Sequence, residues 1–167
     1  MRYLIREKLF HLGQDSDITD EAGNVVYKVD GKIMSLRHKM IIRDLAGAEV
    51  SEVERKIVAI SPTFEIKQNG KTVAEMRQHL FAPLHQHFTI HVQGQPDIEM
   101  RGKLLQHDFT MEQNGQTVAT VSKAWVTLTD TYGLETSGDG SNDLLLISVV
   151  LALEIAQDDE NSSIVNA

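Results

Sequence analysis

The feature that most limits what this chain can fold into is a run of apolar residues near its C-terminus, DLLLISVVLALEIAQ, residues 143–157. From Leu144 to Leu153 only Ser148 is polar, and Glu154 closes the stretch. Those ten residues are about half of the roughly 20 that a membrane-spanning helix needs. Asp139, Asp143, Asp158, Asp159 and Glu160 flank the run where a spanning helix carries basic anchors and interfacial aromatics, so the run is not expected to be transmembrane. Its length and its Leu and Ala content favour a helix over a strand, over about residues 142–157. Ser141, Asn142 or Asp143 can cap its start, and Asp143 complements the positive end of the helix dipole. Apolar residues lie on every side of the axis, and a helix of that kind in water has to be buried on every side.

What surrounds it must come from the rest of the chain, and that part repeats itself. FEIKQNGKTVAEMRQ (64–78) laid over FTMEQNGQTVATVSK (109–123) is identical at seven of fifteen positions. Each copy holds an Asn-Gly pair, Asn69-Gly70 and Asn114-Gly115, between alternating segments, which is the sequence of a β-hairpin with a type I′ turn. The two-residue strand period sets Phe64 and Ile66 on one face and Glu65 and Lys67 on the other. Weaker copies surround Gly23, Gly47 and Gly94, so turn glycines fall at 23, 47, 70, 94 and 115. Five hairpins give ten strands. YLIREKLFHL at the start and KAWVTLTDTYGLE before the apolar run bring the total to about twelve. A meander of that length closes into an antiparallel β-barrel to remove its edges.

A barrel of about twelve strands is wider than its own side chains can fill, and the apolar helix is the natural filling. The expectation is one mainly β domain over residues 1–157, a barrel enclosing a buried C-terminal helix, followed by a flexible polar tail over 158–167. Glu154 then stands out, because an acid near the end of a buried helix must reach the barrel mouth or find a partner. The expectation is that it reaches solvent; the alternative is a paired internal carboxylate with a raised pKa or a nearby Arg or Lys.

SLRHKMIIRDLAGAEV, RKIVAISPTFEIKQNGKTVAEM, FTMEQNGQTVATVSKAW, and DTYGLE followed by DLLLISVVLALEIAQ occur in an order and spacing that resemble the LURP-one-related family of the tubby C-terminal-like superfamily, to which phospholipid scramblases also belong. The likeness covers nearly the whole chain and implies a twelve-stranded barrel around a central helix, in agreement with the periodicity. Tubby domains bind phosphoinositide headgroups through basic side chains on the barrel wall, and scramblases are linked to phospholipid movement. The resemblance therefore implies association with a phospholipid headgroup or a membrane surface, without fixing an activity.

The residues themselves carry no enzyme motif: there is no G-x-S-x-G, Walker-type loop, G-x-G-x-x-G after a strand, or H-E-x-x-H. A formal charge of −8 repels phosphate and argues against nucleic acid as a partner. Without cysteine there is no disulfide or thiolate metal site, and the N-terminal MRYLIREKLFHLG lacks the apolar core of a signal peptide, so the expectation is a cytoplasmic protein, at most peripheral to a membrane. No cofactor is expected. The densest basic cluster, Lys28, Lys32, Arg37, His38, Lys39 and Arg43, could hold phosphate oxygens, although a charge run is most often a solvated strand face. His79, His85, His87 and His91 in QHLFAPLHQHFTIHV form a second cluster: with Phe88, Ile90 and Val92 inward, His87 and His91 face outward with Thr89, and His85 can join them. Imidazoles at that spacing can share a zinc or copper ion. Asp139, Ser141, Asn142 and Asp143 lack the twelve-residue pattern of a calcium loop and suit a helix cap, while Tyr132 suits the core or rim. The reading is thus a non-enzymatic binding or scaffold module with a lipid or protein partner and no assigned metal. The alternative is a metal-dependent hydrolase or metal-binding protein built on His85, His87 and His91.

Overall fold

The computed structural model describes residues 1–6, 15–30, 38–80 and 85–165, with side chains left undescribed at 161–164. Twelve strands follow one another: β1 (Arg2–Arg6), β2 (Ser16–Asp20), β3 (Val25–Asp30), β4 (Lys39–Arg43), β5 (Glu49–Arg55), β6 (Thr63–Gln68), β7 (Lys71–Gln78), β8 (Gln86–Val92), β9 (Ile98–Lys103), β10 (Asp108–Gln113), β11 (Gln116–Ser122) and β12 (Thr131–Thr136). Each pairs antiparallel with its neighbours in sequence, and β1 pairs with β12 to close the barrel. This is the mainly β, twelve-stranded barrel that the repeat predicts, with β1 and β12 overlapping the two outer segments assigned to strands.

The Asn-Gly pairs make the turns expected of them. Asn69 and Gly70 have φ of 51° and 74°, and Asn114 and Gly115 have 52° and 73°, the two positive values that a type I′ turn demands. A register shift follows just inside each of these turns, between Ile66 and Lys67 and between Met111 and Glu112. The hairpins at Gly23 and Gly47 shift likewise, between Ile18 and Thr19 and between Ile42 and Arg43. Such bulges increase the twist of the strands and help a sheet curl closed.

Alternation directs one face of every strand inward. Phe64, Ile66, Met76, Phe88, Ile90, Met100 and Met111 are fully buried. Among them lies the single α-helix, α1 (Asp143–Val165). Leu145, Leu146, Ile147, Val149, Val150, Leu151, Leu153 and Ile155 are all buried, so the helix is covered around its circumference. No helix of the described residues is long and apolar enough to cross a membrane. Two polar contacts set its rotation and depth. Ser148 Oγ lies 2.8 Å from Ser51 Oγ on β5 and donates to the Leu144 carbonyl at 2.7 Å. At the helix start the Tyr3 hydroxyl donates to Asp143 at 2.6 Å, and burial together with that carboxylate pushes the phenol pKa up.

Two expectations need correction. The helix does not give way to a tail at Asp158 but continues to Val165. Its polar extension is tied to the barrel: Asp159 takes an ion pair from Arg55 at 2.5 Å and another from His38 at 3.3 Å. Glu154 does not reach solvent either. It is 5% exposed and meets His107 Nε2 at 3.0 Å, a partner type the expectation of Arg or Lys had not included. His107 closes a single 3-10 turn, Leu104–Gln106, in a left-handed conformation (φ 49°), and its ring stacks on Tyr132 at 4.3 Å. A short turn in the β9–β10 connection thus carries an imidazole into the barrel to meet the acid.

Candidate functional site

Helix and barrel side chains fill the interior, so a site has to lie on the outer wall or at a rim. The best-developed wall site comes from three adjacent strands. On β8, Phe88, Ile90 and Val92 point inward, leaving His87, Thr89 and His91 outside as the sequence predicts. On β9 the inward Ile98 and Met100 leave Glu99 and Arg101 outside, with Glu99 paired to Thr89 and Arg101 to His87. Just past β7 the ladder runs one residue further, where the His79 backbone N–H donates to the His87 carbonyl at 2.8 Å. His79 therefore lies directly across from His87.

The side chains close into a ring of contacts. The two imidazoles stack with centroids 4.0 Å apart and planes 11° from parallel. His87 Nε2 is in close contact with Glu99 Oε2. The Thr89 hydroxyl, 3.1 Å from both Glu99 oxygens, donates to the carboxylate and accepts from His79 Nε2 at 2.7 Å. Arg77, paired with Thr89 in register, is turned away to Glu75 at 3.2 Å. An open groove of about 590 Å³, with Glu75, Arg77, His79, Thr89 and His91 on its walls, runs beside this group.

The alternative trio, His85, His87 and His91, is therefore not the group brought together. His85 is exposed at the bend before β8, and His91 is taken by Asp97 at 2.8 Å. Of the three, only His87 belongs to the ring, where it joins His79 and Glu99.

The basic cluster is only partly described. Lys32 and Arg37 lie outside the described residues. Lys39 is held by Glu52 at 2.8 Å and His38 by Asp159 at 3.3 Å. Lys28 and Arg43 are left, opposite each other across β3 and β4, with Arg43 donating to the Gly47 carbonyl at 3.4 Å. Asp159 itself has its pKa raised, because burial outweighs the attraction of Arg55 and His38.

The two rims differ. Because consecutive strands run in opposite directions, the turns at Gly23, Gly47, Gly70, Gly94 and Gly115 all fall at one end. The β3–β4, β5–β6, β7–β8, β9–β10 and β11–β12 connections fall at the other, where α1 also emerges. Nine large apolar side chains stand exposed among the described residues, and seven of them belong to that second rim: Ile57, Val58, Ile60, Leu80, Leu105, Leu128 and Val165. Three sit on the β5–β6 connection with almost nothing around them, Ile57 at 91%, Val58 at 100% and Ile60 at 99% exposure. Lys56, which precedes them, is already engaged by Glu75 at 2.6 Å and Glu65 at 3.6 Å.

Three similarities place the chain among known proteins. The sequence profile described as LURP-one-related matches residues 1–154. The uncharacterized protein YxjI of Bacillus subtilis (strain 168) is 26% identical over 161 residues, covering 95% of this chain and 96% of its own. A protein from Arabidopsis thaliana, known from an X-ray structure, superposes with a TM-score of 0.66 at 16% identity, covering 96% of this chain and 90% of that one. The last similarity is one of fold.

Proposed function

The chain belongs to the LURP-one-related family, and from that premise we propose that it is a non-enzymatic binding module, cytoplasmic and peripheral to a membrane, that docks its loop-bearing rim on a phospholipid surface. The supporting observation is the Ile57-Val58-Ala59-Ile60 tip, three large apolar side chains at 91–100% exposure on the rim that holds most of the other exposed apolar residues. Side chains projecting singly into solvent suit a medium that deforms around them, as the headgroup–acyl boundary does. Inserting three of them gains about 5–9 kcal/mol at roughly 1.5–3 kcal/mol each, before the cost of association. That is enough for reversible peripheral binding.

Charge plays a lesser part in this reading. The formal charge is −8, and Lys39, Arg55 and Lys56 at this rim are paired with acids. Binding is accordingly carried by apolar insertion and varies little with salt or with anionic lipid content. Co-sedimentation with phosphatidylcholine vesicles, with and without phosphoinositide, at low and high salt, tests it. The full chain sediments with both kinds of vesicle, and Ile57→Asp/Val58→Asp/Ile60→Asp abolishes this, whereas Lys28→Ala/Arg43→Ala leaves it intact. Binding to phosphoinositide vesicles alone, lost in high salt and in the Lys28/Arg43 variant, would move the function to the basic wall; no binding to any vesicle would end the membrane reading.

A further inference from the structure

The geometry points to a zinc-binding site on the outer wall, formed by His79, His87 and Glu99, which stands apart from the membrane reading and uses none of its residues. One ligand atom from each of the three lies within 4.8 Å of the other two. Two imidazole nitrogens and a carboxylate oxygen are a donor set that suits Zn²⁺, and three protein ligands leave a fourth tetrahedral position for water or another small donor. His79 also lines the groove along β7 and β8, through which an exchangeable ligand can approach the group.

Other histidines on the molecule set this group apart. His38 meets Asp159, His91 meets Asp97, and His107 meets Glu154, each a single imidazole against a single acid. Only at β7–β9, among the described residues, do two imidazoles gather about one carboxylate, His87 by direct contact and His79 through the Thr89 hydroxyl. Their rings stack side by side. An ion between them replaces the hydrogen bonds that now link His87 to Glu99 and His79 to Thr89. Each ring then carries its proton on Nδ1, with the Nε2 lone pair on the metal.

Backbone pairing makes the arrangement firm. Three adjacent strands of a closed barrel supply the ligands, with His79 across from His87 and Thr89 across from Glu99, so only side-chain torsions adjust on binding. Thr89 keeps its hydroxyl on Glu99 and orients the ligating carboxylate, the role that outer-shell partners play in zinc sites. Arg77 does not compete for that carboxylate, since it is bound to Glu75. Proton and ion compete for the same nitrogens, so affinity falls on acidification.

Tag-free full-length protein titrated with ZnCl₂ at neutral pH, with bound metal quantified by plasma mass spectrometry after gel filtration, tests the site. One zinc per chain is expected, lost in His79→Ala, His87→Ala and Glu99→Gln, weakened about tenfold or more in Thr89→Val, and unchanged in His85→Ala and His91→Ala. Circular dichroism confirms that each variant keeps its barrel, as outer-wall substitutions should allow. Substoichiometric zinc in the unaltered protein overturns the assignment, and so does binding that survives His87→Ala or disappears in His85→Ala or His91→Ala.

Discussion

Glu154 and His107 form an ionisable pair inside the barrel mouth, with side chains 5% and 8% exposed. Breaking such a pair by removing one partner costs about 3–5 kcal/mol, because the remaining group is buried without compensation. His107→Gly is the informative change. His107 occupies a left-handed conformation, and glycine there relieves about 1–2 kcal/mol of backbone strain, so any loss of stability arises against that gain. The single variant is therefore expected to be destabilised by about 1–4 kcal/mol, a large share of the roughly 5–15 kcal/mol that holds a domain together. With a urea m-value of about 2 kcal/mol/M, the unfolding midpoint falls by about 0.5–2 M. His107→Gly/Glu154→Leu removes the stranded carboxylate and sets an apolar side chain beside Leu153 and Ile155, both buried. The double variant should recover most of the loss, since replacing both members of a buried pair is often neutral or stabilising. Urea denaturation followed by far-UV circular dichroism measures all three proteins. Equal stability of the single and double variants would show that the Glu154 carboxylate is hydrated at the rim and that His107 is not what permits its burial.

Three further outcomes follow from the packing. Gly133→Ala would place a Cβ 2.1 Å from Trp125 Cζ2, so the chain's one tryptophan must leave the strand surface where Arg2 covers it at 5.0 Å; its emission should shift to the red, and an unchanged spectrum contradicts the contact. Ending the chain before Asp143 removes the eight large apolar side chains that line α1, a gross loss of about 12–24 kcal/mol at roughly 1.5–3 kcal/mol each, so the product should aggregate or show no cooperative unfolding, and a folded soluble barrel would refute the plugged interior. The Asp159 carboxyl holds its proton more tightly folded than unfolded, so its contribution is present below its ordinary value of 3.8 and is lost as pH rises through the raised folded value; melting temperatures of Asp159→Asn should lack that decline, and a wild type that gains stability over the variant as pH rises through that window would reverse the sign.

The barrel was legible because its signals are local and repeated. Asn-Gly turns fix their own φ values, alternation fixes which face is buried, and an apolar segment too short to span a bilayer has to be enclosed. The wall site was half legible. The turn at Gly94 sits midway between Thr89 and Glu99, so hairpin symmetry alone places Glu99 across from the outward Thr89, although no regular ligand spacing along the sequence ties that acid to the histidines. His79 could not be placed in this way, because the connection from His79 to Gln86 carries no turn signature that sets the β7–β8 register. Glu154 was misread for a related reason. Its partner comes from the 3-10 turn after β9, and a left-handed histidine inside a strand-to-strand connection leaves no mark in hydrophobic periodicity. The helical extension past Asp158 was missed because composition reads Asp, Glu, Asn and Ser as a tail, while the ion pairs from Arg55 and His38 that hold it depend on long-range contacts.

An even-numbered meander that closes on itself sends its connections alternately to two ends, and here the two ends are built differently. At one end five of the positive-φ glycines, at 23, 47, 70, 94 and 115, hold tight turns whose register carries the closure of the barrel. Lengthening or recolouring those turns would disturb strand pairing directly. The opposite connections carry no such duty, so they can be long and can present apolar side chains to the outside. The interior is closed to ligands by magnitude: admitting one beside the strands means displacing α1, whose burial is worth about as much as the whole net stability of a domain. Recognition is thereby pushed to the loop-bearing rim and the outer wall. His79 ends the β7 ladder one residue before Leu80, an exposed member of the apolar rim. A rim seated on a lipid surface would therefore hold the three-ligand wall site close to the headgroup layer while its groove still faces water.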